Sequence, residues 1–243
     1  GVSFYDFEII DYPHIKKQYW YKEAVLKISF INCPNLNQKM AYIEGAGDDV
    51  YEITKKLGVD IEIINSSDLS NINLNNYQSI IVGIRGFNTD KILRENKKYL
   101  FDYVKQGGNL VVQYQTSQQT DSLFCSPIGL QLGRERVTEE NSDITILDSN
   151  SAILNYPFKI NKEEFSNWTQ ERGLYFGNTW NNQFKTVIGI NDSGESLKTG
   201  SILVLEYGKG RYIYTGISFF RQLPDGNVGA MKLWYNLIHR NEE

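Results

Sequence analysis

Beginning at Lys39, short apolar runs alternate with longer amphipathic ones, the order of elements that a parallel α/β sheet imposes. Met40–Val50 opens the series, with an apolar strand running through Gly45-Ala46-Gly47 into the acidic helix start Asp48-Asp49. The following helix carries Val50, Ile53 and Leu57 on one face and stops at Gly58. Ile61–Ile64, Ile80–Val82 and Leu110–Tyr114 read as the second, third and fourth strands. A longer helix from about Thr89 to Gln106 places Ile92, Leu93, Tyr99, Leu100, Tyr103 and Val104 at helical spacing before Gly107-Gly108 ends it. Strands this apolar along their whole length, joined by helices, are buried on both faces. Ligands of such sheets sit beyond the carboxyl ends of the strands, where the strand order reverses.

The flanking segments are richer in β structure. Residues 1–36 hold two β-like runs, Val2–Ile10 and Ala24–Ile31, separated by Asp11-Tyr12-Pro13-His14 and a basic, aromatic segment to Glu23. They read as a lead-in that crosses or extends the main sheet. Residues 115–142 are polar and form an excursion over the sheet's carboxyl edge. Beyond them Ile144–Leu147 and Val187–Ile190 read as strands, and an Asn161/Glu164 capping box starts a short helix to Trp168. Ser201–Tyr207 and Arg211–Thr215 flank Gly208-Lys209-Gly210 as a hairpin. An amphipathic helix from about Asn227 to His239 closes the chain. Residues 1–243 are read as a single domain: a β lead-in over 1–36, then an α/β core with a β-rich extension over 37–243.

Composition narrows the function. Hydrophobic content of 41% and charged content of 22% are ordinary for a globular chain. The net charge of −4 argues against nucleic-acid and anionic-membrane partners, which require clustered Lys and Arg. No apolar run approaches the ~18 residues of a membrane span, and no signal peptide is present. Cys33 and Cys125 are too few for a disulfide framework. The 16 tyrosines suit tight turns, β structure or a carbohydrate-facing surface. The start at Gly-Val-Ser reads as that of an expressed fragment, which is compatible with a targeting segment or a preceding domain having been left out.

Gly45 and Gly47 invite a dinucleotide reading, but Val50 stands where the fingerprint needs its third glycine. Asp48 and Asp49 would repel a pyrophosphate, whereas they suit a helix start. The third strand ends in Gly83-Ile84-Arg85-Gly86-Phe87-Asn88. In a sheet of order 2-1-3-4 this turn faces the first across the switch point, bringing Arg85 and Asn88 opposite Asp48. Arg85 then either pairs with an acid of the neighbouring turn or lines a polar ligand pocket.

Nucleophilic catalysis finds no support in the residues. Class I glutamine amidotransferases present a Cys on a Gly-x-Cys-x-Gly turn, with a His and a Glu downstream. The fourth strand, Leu110–Thr116, offers neither Cys nor Ser at its turn, and His14 and His239 are the chain's two histidines. Isolated His and Cys residues give no zinc spacing. Around Trp168, the residues Glu163, Glu164, Glu171 and Arg172 suit either sugar stacking with polar clamps or a buried Trp under an ion pair. Ser218-Phe219-Phe220-Arg221-Gln222 is a second aromatic–Arg cluster that could converge on the same crevice.

Several of these segments together resemble one family. Tyr12–Ile15, Tyr42–Asp48, Gly83–Asn88, Trp168–Phe176, Gly208–Gly216 and Phe219–Pro224 look, in order and across nearly the whole chain, like the C-terminal module of large PIG-L/LmbE-type de-N-acetylases. That module is similar to class I glutamine amidotransferase-like and ThuA-like domains, so the resemblance implies a three-layer flavodoxin-like sheet with helices on both faces. It implies a non-catalytic accessory domain, because the family's zinc motif, Ala-His-Pro-Asp-Asp, belongs to a separate N-terminal domain and is absent here. In ThuA-like relatives the turn after the fourth strand often carries a His; Tyr114 stands near that place. The expected partners are the deacetylase domain of the same protein and a glycan or amino-sugar ligand. An oligomer and an exported or periplasmic location are compatible with the resemblance. No metal or cofactor is implied. The expected ligand-facing residues are Asp48, Arg85, Asn88, Tyr114, Trp168, Glu171, Arg172 and Arg221. The rival expectation is a carbohydrate-active hydrolase using Asp48, Arg85, Glu171 and Arg221.

Overall fold

The computed structural model describes residues 5–25, 27–35, 37–117 and 121–240, and the chain divides into two compact units, Gly1–Phe30 and Ile31–Glu243.

In the first unit, β1 (Tyr5–Ile10) and β2 (Gln18–Glu23) form an antiparallel two-stranded sheet of their own. The register sets Phe7 opposite Tyr21 and Ile9 opposite Tyr19, so aromatic and aliphatic side chains share one face. Expectation and structure differ here. The second strand is the aromatic segment Gln18–Glu23, and the described residues of Ala24–Ile31 carry no strand; residues 2–4 of the first expected strand lie outside the described residues. Tyr19, Trp20 and Tyr21 are as β-prone as the run that follows them, and the shorter loop from β1 lets them pair first.

The second unit is built on a seven-stranded sheet. Its strands are β3 (Lys39–Ile43), β4 (Asp60–Ile63), β5 (Ser79–Val82), β6 (Asn109–Gln113), β12 (Lys185–Thr186), β14 (Ile202–Tyr207) and β15 (Gly210–Thr215). The order is β12-β14-β15-β6-β5-β3-β4. The five strands from β15 to β4 are mutually parallel, and β14 joins β15 antiparallel through the Gly208 turn. Gly208 holds φ +67°, a left-handed turn position that favours glycine.

Alternation along the strands splits the core in two. Met40, Tyr42, Ile81, Val111 and Ile213 face one side, against α5 (Val228–Ile238) with its fully buried Trp234. Ala41, Ile43, Ile80, Val82, Leu110 and Val112 face the other, against Leu93, Leu100 and Val104 of α3 (Lys91–Gln106). Each such side chain contributes about 1.5–3 kcal/mol by burial, so the layering is strongly specified. The short helix α1 (Val50–Lys56) joins the α5 side, while α2 (Gly86–Thr89) precedes α3, whose N-cap is Asp90 rather than Thr89. The result is the expected α/β sheet with helices on both faces.

The remaining strands make three two-stranded antiparallel sheets. β7 (Leu130–Leu132) pairs with β11 (Gly177–Trp180), β8 (Arg136–Val137) with β10 (Gly173–Leu174), and β9 (Ile144–Ile146) with β13 (Ile188–Ile190). Thus the polar excursion 115–142 carries two short strands, its residues 118–120 lying outside the described ones. The Asn161/Glu164 capping box forms, but it starts a 3-10 turn, Lys162–Phe165, that ends before Trp168. The closing helix, α4 (Phe219–Gln222) before it, is capped by Asn227 through the backbone of Ala230.

Candidate functional site

The strand order β4-β3-β5-β6 places the switch point between β3 and β5, and the two following turns are bonded directly. Gly83 N–H donates to Ile43 O at 2.8 Å and Ala46 N–H to Ile84 O at 2.7 Å. A Cβ on Gly45 would lie 2.1 Å from Ile84 O, so the approach requires glycine. Asp48 is consumed by this junction. Its carboxylate accepts from Val50 N–H at 2.9 Å, from Ile84 N–H at 3.4 Å and from the Tyr42 hydroxyl at 3.0 Å. Gln113 Nε2 in turn donates to the Tyr42 hydroxyl at 3.0 Å. Burial raises the Asp48 pKa and these bonds oppose the rise. Asp48 therefore caps α1, while Asp49, at the N-cap position, makes no capping bond.

Arg85 sits between β5 and α2 in the left-handed region, φ 56° and ψ 17°. A sharp strand-to-helix turn holding a non-glycine residue at positive φ is how a nucleophile elbow presents its side chain. The end of the fourth strand was the expected place for such a turn in an amidotransferase; the structure forms it after the third, with an arginine on it. Gly83 and Gly86 flanking Arg85 were the available signal. The turn is stitched to the end of β6. Arg85 N–H donates to Tyr114 O and Phe87 N–H to Gln115 Oε1, both at 2.8 Å. Asn88 Oδ1 accepts from Thr116 N–H at 2.8 Å. Thr116 Oγ1 is buried here without a partner. Arg85 is exposed, and among the described residues its guanidinium makes no hydrogen bond or ion pair. It is not the partner of Asp48.

Tyr114, expected to face a ligand, is buried at 8% exposure and joins this turn to a group of aromatic rings. Its ring stacks on that of Tyr175, with centroids 5.8 Å apart and planes 13° apart, and meets Phe220 at 5.4 Å. Tyr175 also holds a positive φ, 53°, and its carbonyl accepts from the Tyr214 hydroxyl. For a bulky side chain such a backbone is strained and persists only where surrounding bonds over-determine it. The Arg221 guanidinium lies over Phe220 at 4.9 Å, and its Nε donates to Glu171 Oε1 at 2.8 Å. Gln222 holds the Glu171 segment in place: its Oε1 accepts from Thr169 N–H and its Nε2 donates to Thr169 O, each at 2.8 Å. Burial raises the Tyr114 pKa; the charges of Arg85 and Arg221 pull it down, and Tyr175 and Glu171 push it up. All four side chains thus share the surroundings of one hydroxyl. Tyr175 was not among the expected site residues.

Trp168 and Arg172 lie elsewhere, inside the core at 3% and 4% exposure. The Arg172 guanidinium sits 5.3 Å over the Trp168 ring and donates to the carbonyls of Phe165 and Ser142. Burial lowers its pKa to about 10. Both side chains are spent on packing. Among the described residues no three His, Cys, Asp or Glu side chains group to hold a metal ion, and no helix is long and apolar enough to cross a membrane.

No protein-family profile matches the chain, and no curated protein matches it. Solved structures do. A cytoplasmic protein from Salmonella typhimurium is 15% identical over 96% of this chain and 94% of its own, with a TM-score of 0.51. A protein from Bacteroides uniformis described as ThuA-like is 13% identical over 88% of this chain and 94% of its own, at 0.50. An exo-β-1,4-mannosidase from an Opitutaceae bacterium is 15% identical over 84% of this chain but only 37% of its own, at 0.51. At these identities the likeness is one of fold, a fold shared with the ThuA-like protein. The descriptions of these three proteins name no PIG-L- or LmbE-type deacetylase.

Proposed function

We propose that this chain is a non-catalytic binding domain of amidotransferase-like fold, the accessory module of a zinc-dependent N-acetyl-sugar deacetylase of the PIG-L/LmbE type. The observation that carries the non-catalytic part is Arg85 on the strained turn after β5. A guanidinium stays protonated throughout the working pH range, so it can neither attack nor abstract a proton, but it can hold an oxygen-rich ligand. The two carboxylates that the rival hydrolase reading invokes are already engaged, Asp48 by Tyr42 and two backbone N–H groups, Glu171 by Arg221. These bonds count against that pair as a working acid and base. The assignment to a deacetylase rests on the ordered resemblance of six segments. The mannosidase, where the same fold makes up about a third of the chain, supports an accessory role in a larger carbohydrate-active protein.

Assaying the purified chain against N-acetylated sugars and chromogenic glycosides tests this reading. No turnover is expected. Turnover that disappears in Asp48→Asn would overturn it. Loss of deacetylase activity in the full-length parent on Arg85→Asn, with the isolated chain inert, is the result expected of an accessory binding domain.

A further inference from the structure

The surface formed by Arg85, Tyr114, Tyr175, Phe220, Arg221 and Glu171 has an uneven inventory of polar groups. The Arg85 guanidinium keeps all of its N–H donors free among the described residues. Among the described residues Arg221 uses only Nε, leaving its two terminal nitrogens unbonded. Among the same residues the hydroxyls of Tyr114 and Tyr175 make no hydrogen bond, although the backbones of both do. Against these donors stands one free anionic acceptor, the second oxygen of Glu171. Two guanidinium charges against one carboxylate leave the surface net positive, in a chain whose net charge is −4. Between the charges lie aromatic rings, with Tyr175 and Phe220 half-buried beside Tyr114.

Such a surface asks for a ligand that brings acceptors, negative charge and a flat C–H face. Guanidinium groups match carboxylates in geometry and charge, and aromatic rings pack on the C–H face of a pyranose. An amine-bearing sugar is disfavoured by the same two cations. Resting on the binding-domain reading above, we propose that this surface recognises an acidic sugar, a hexuronate residue, with its carboxylate on Arg85, its ring face on Tyr175 and a hydroxyl donating to Glu171.

Heteronuclear NMR titration of the isotopically labelled chain provides the test, because it registers millimolar binding. D-glucuronate, an oligouronate, D-glucose, D-glucosamine and benzoate would be compared at low salt. Glucuronate and the oligouronate are expected to shift signals of this surface, with glucose and glucosamine at least about tenfold weaker and binding declining as salt rises. Arg85→Asn removes the charge while keeping a residue that tolerates the left-handed backbone, and should cost about ten- to a hundredfold in affinity. Tyr175→Asn removes the ring on the same grounds and should weaken the binding of glucuronate and the oligouronate. Glucose or glucosamine binding as tightly as glucuronate would overturn the acidic-sugar inference and leave the binding-domain reading standing. Benzoate matching glucuronate would overturn the sugar half of it. No response of this surface to any of the five ligands would overturn the inference and remove the ligand from the binding-domain reading as well. Catalytic turnover would defeat that reading alone.

Discussion

The backbone N–H of Arg85 donates to the carbonyl of Tyr114 at 2.8 Å. That bond joins the turn after β5 to the end of β6, setting a free guanidinium beside a stacked pair of tyrosine rings. The Arg221–Glu171 pair closes the same surface from the α4 side. Each residue comes from a different connection beyond the strand ends, where open α/β sheets gather their ligands.

Gly45→Ala should loosen this junction. Its new Cβ would lie 2.1 Å from the backbone oxygen of Ile84, with no flexible side chain to yield. Forcing the two turns apart is expected to cost at least about 2 kcal/mol, read as a lower urea midpoint with an unchanged slope.

Arg221 and Gln222 are neighbours with opposite expected phenotypes. Arg221→Gln breaks an ion pair whose arginine is 37% exposed, so its effect on stability should stay within about 1 kcal/mol. Gln222→Leu leaves the half-buried Thr169 N–H without its partner and the Thr169 carbonyl with Glu171 N–H as its remaining donor, at a cost of about 1–3 kcal/mol. Equal losses of thermal stability in the two variants would contradict this division.

Arg172 should behave as a structural residue and Arg85 as a ligand residue. Arg172→Met strips the Phe165 and Ser142 carbonyls of their donor, and about 2–3 kcal/mol of unfolding free energy is expected to go with it. Arg85→Asn should leave the unfolding midpoint within about 1 kcal/mol of the parent, since its guanidinium holds nothing in the fold.

His239 predicts an acid limb in the stability profile. Burial lowers its pKa from 6.5 to about 4, with the Tyr235 carbonyl opposing and the Arg211 charge adding to the shift. The unfolded chain therefore binds the proton first. Stability from the neutral ring is full above pH ~6.5 and drains away as pH falls towards ~4, by about 3 kcal/mol in all. Denaturant titrations across that window should show the decline, and His239→Phe should flatten it.

The parallel core was legible because its strands are apolar throughout and its long helix repeats every three to four residues. The hairpin at Gly208 and the Asn161/Glu164 box were legible from local chemistry alone. Less could be read where several segments competed for the same role. In the first unit the strand beside β1 is Gln18–Glu23, where Ala24–Ile31 was the second β-like run expected, and propensity does not rank two β-prone runs. Arg85, Glu171 and Arg221 were identified as candidates from residue type and position, and Tyr114 from the resemblance to ThuA-like domains. Trp168 and Arg172 looked equally suitable, yet face inward.

Chemistry that acts over a few residues was therefore determined by the sequence itself: the strand–helix rhythm, the glycine turns, the caps, and the lack of a Cys or Ser elbow. Which polar side chains remain free was decided only by the tertiary structure. Asp48 is spent on Tyr42 and Ile84, Gln222 on Thr169, and Arg172 on two distant carbonyls, while Arg85 is spent on nothing. Those outcomes depend on partners that include Ile84 for Asp48, Ser142 for Arg172 and Thr169 for Gln222, each tens of residues away and brought into hydrogen-bond reach by packing. A side chain's identity states what bonds it can make, and only the folded neighbourhood settles which of them remain for a ligand.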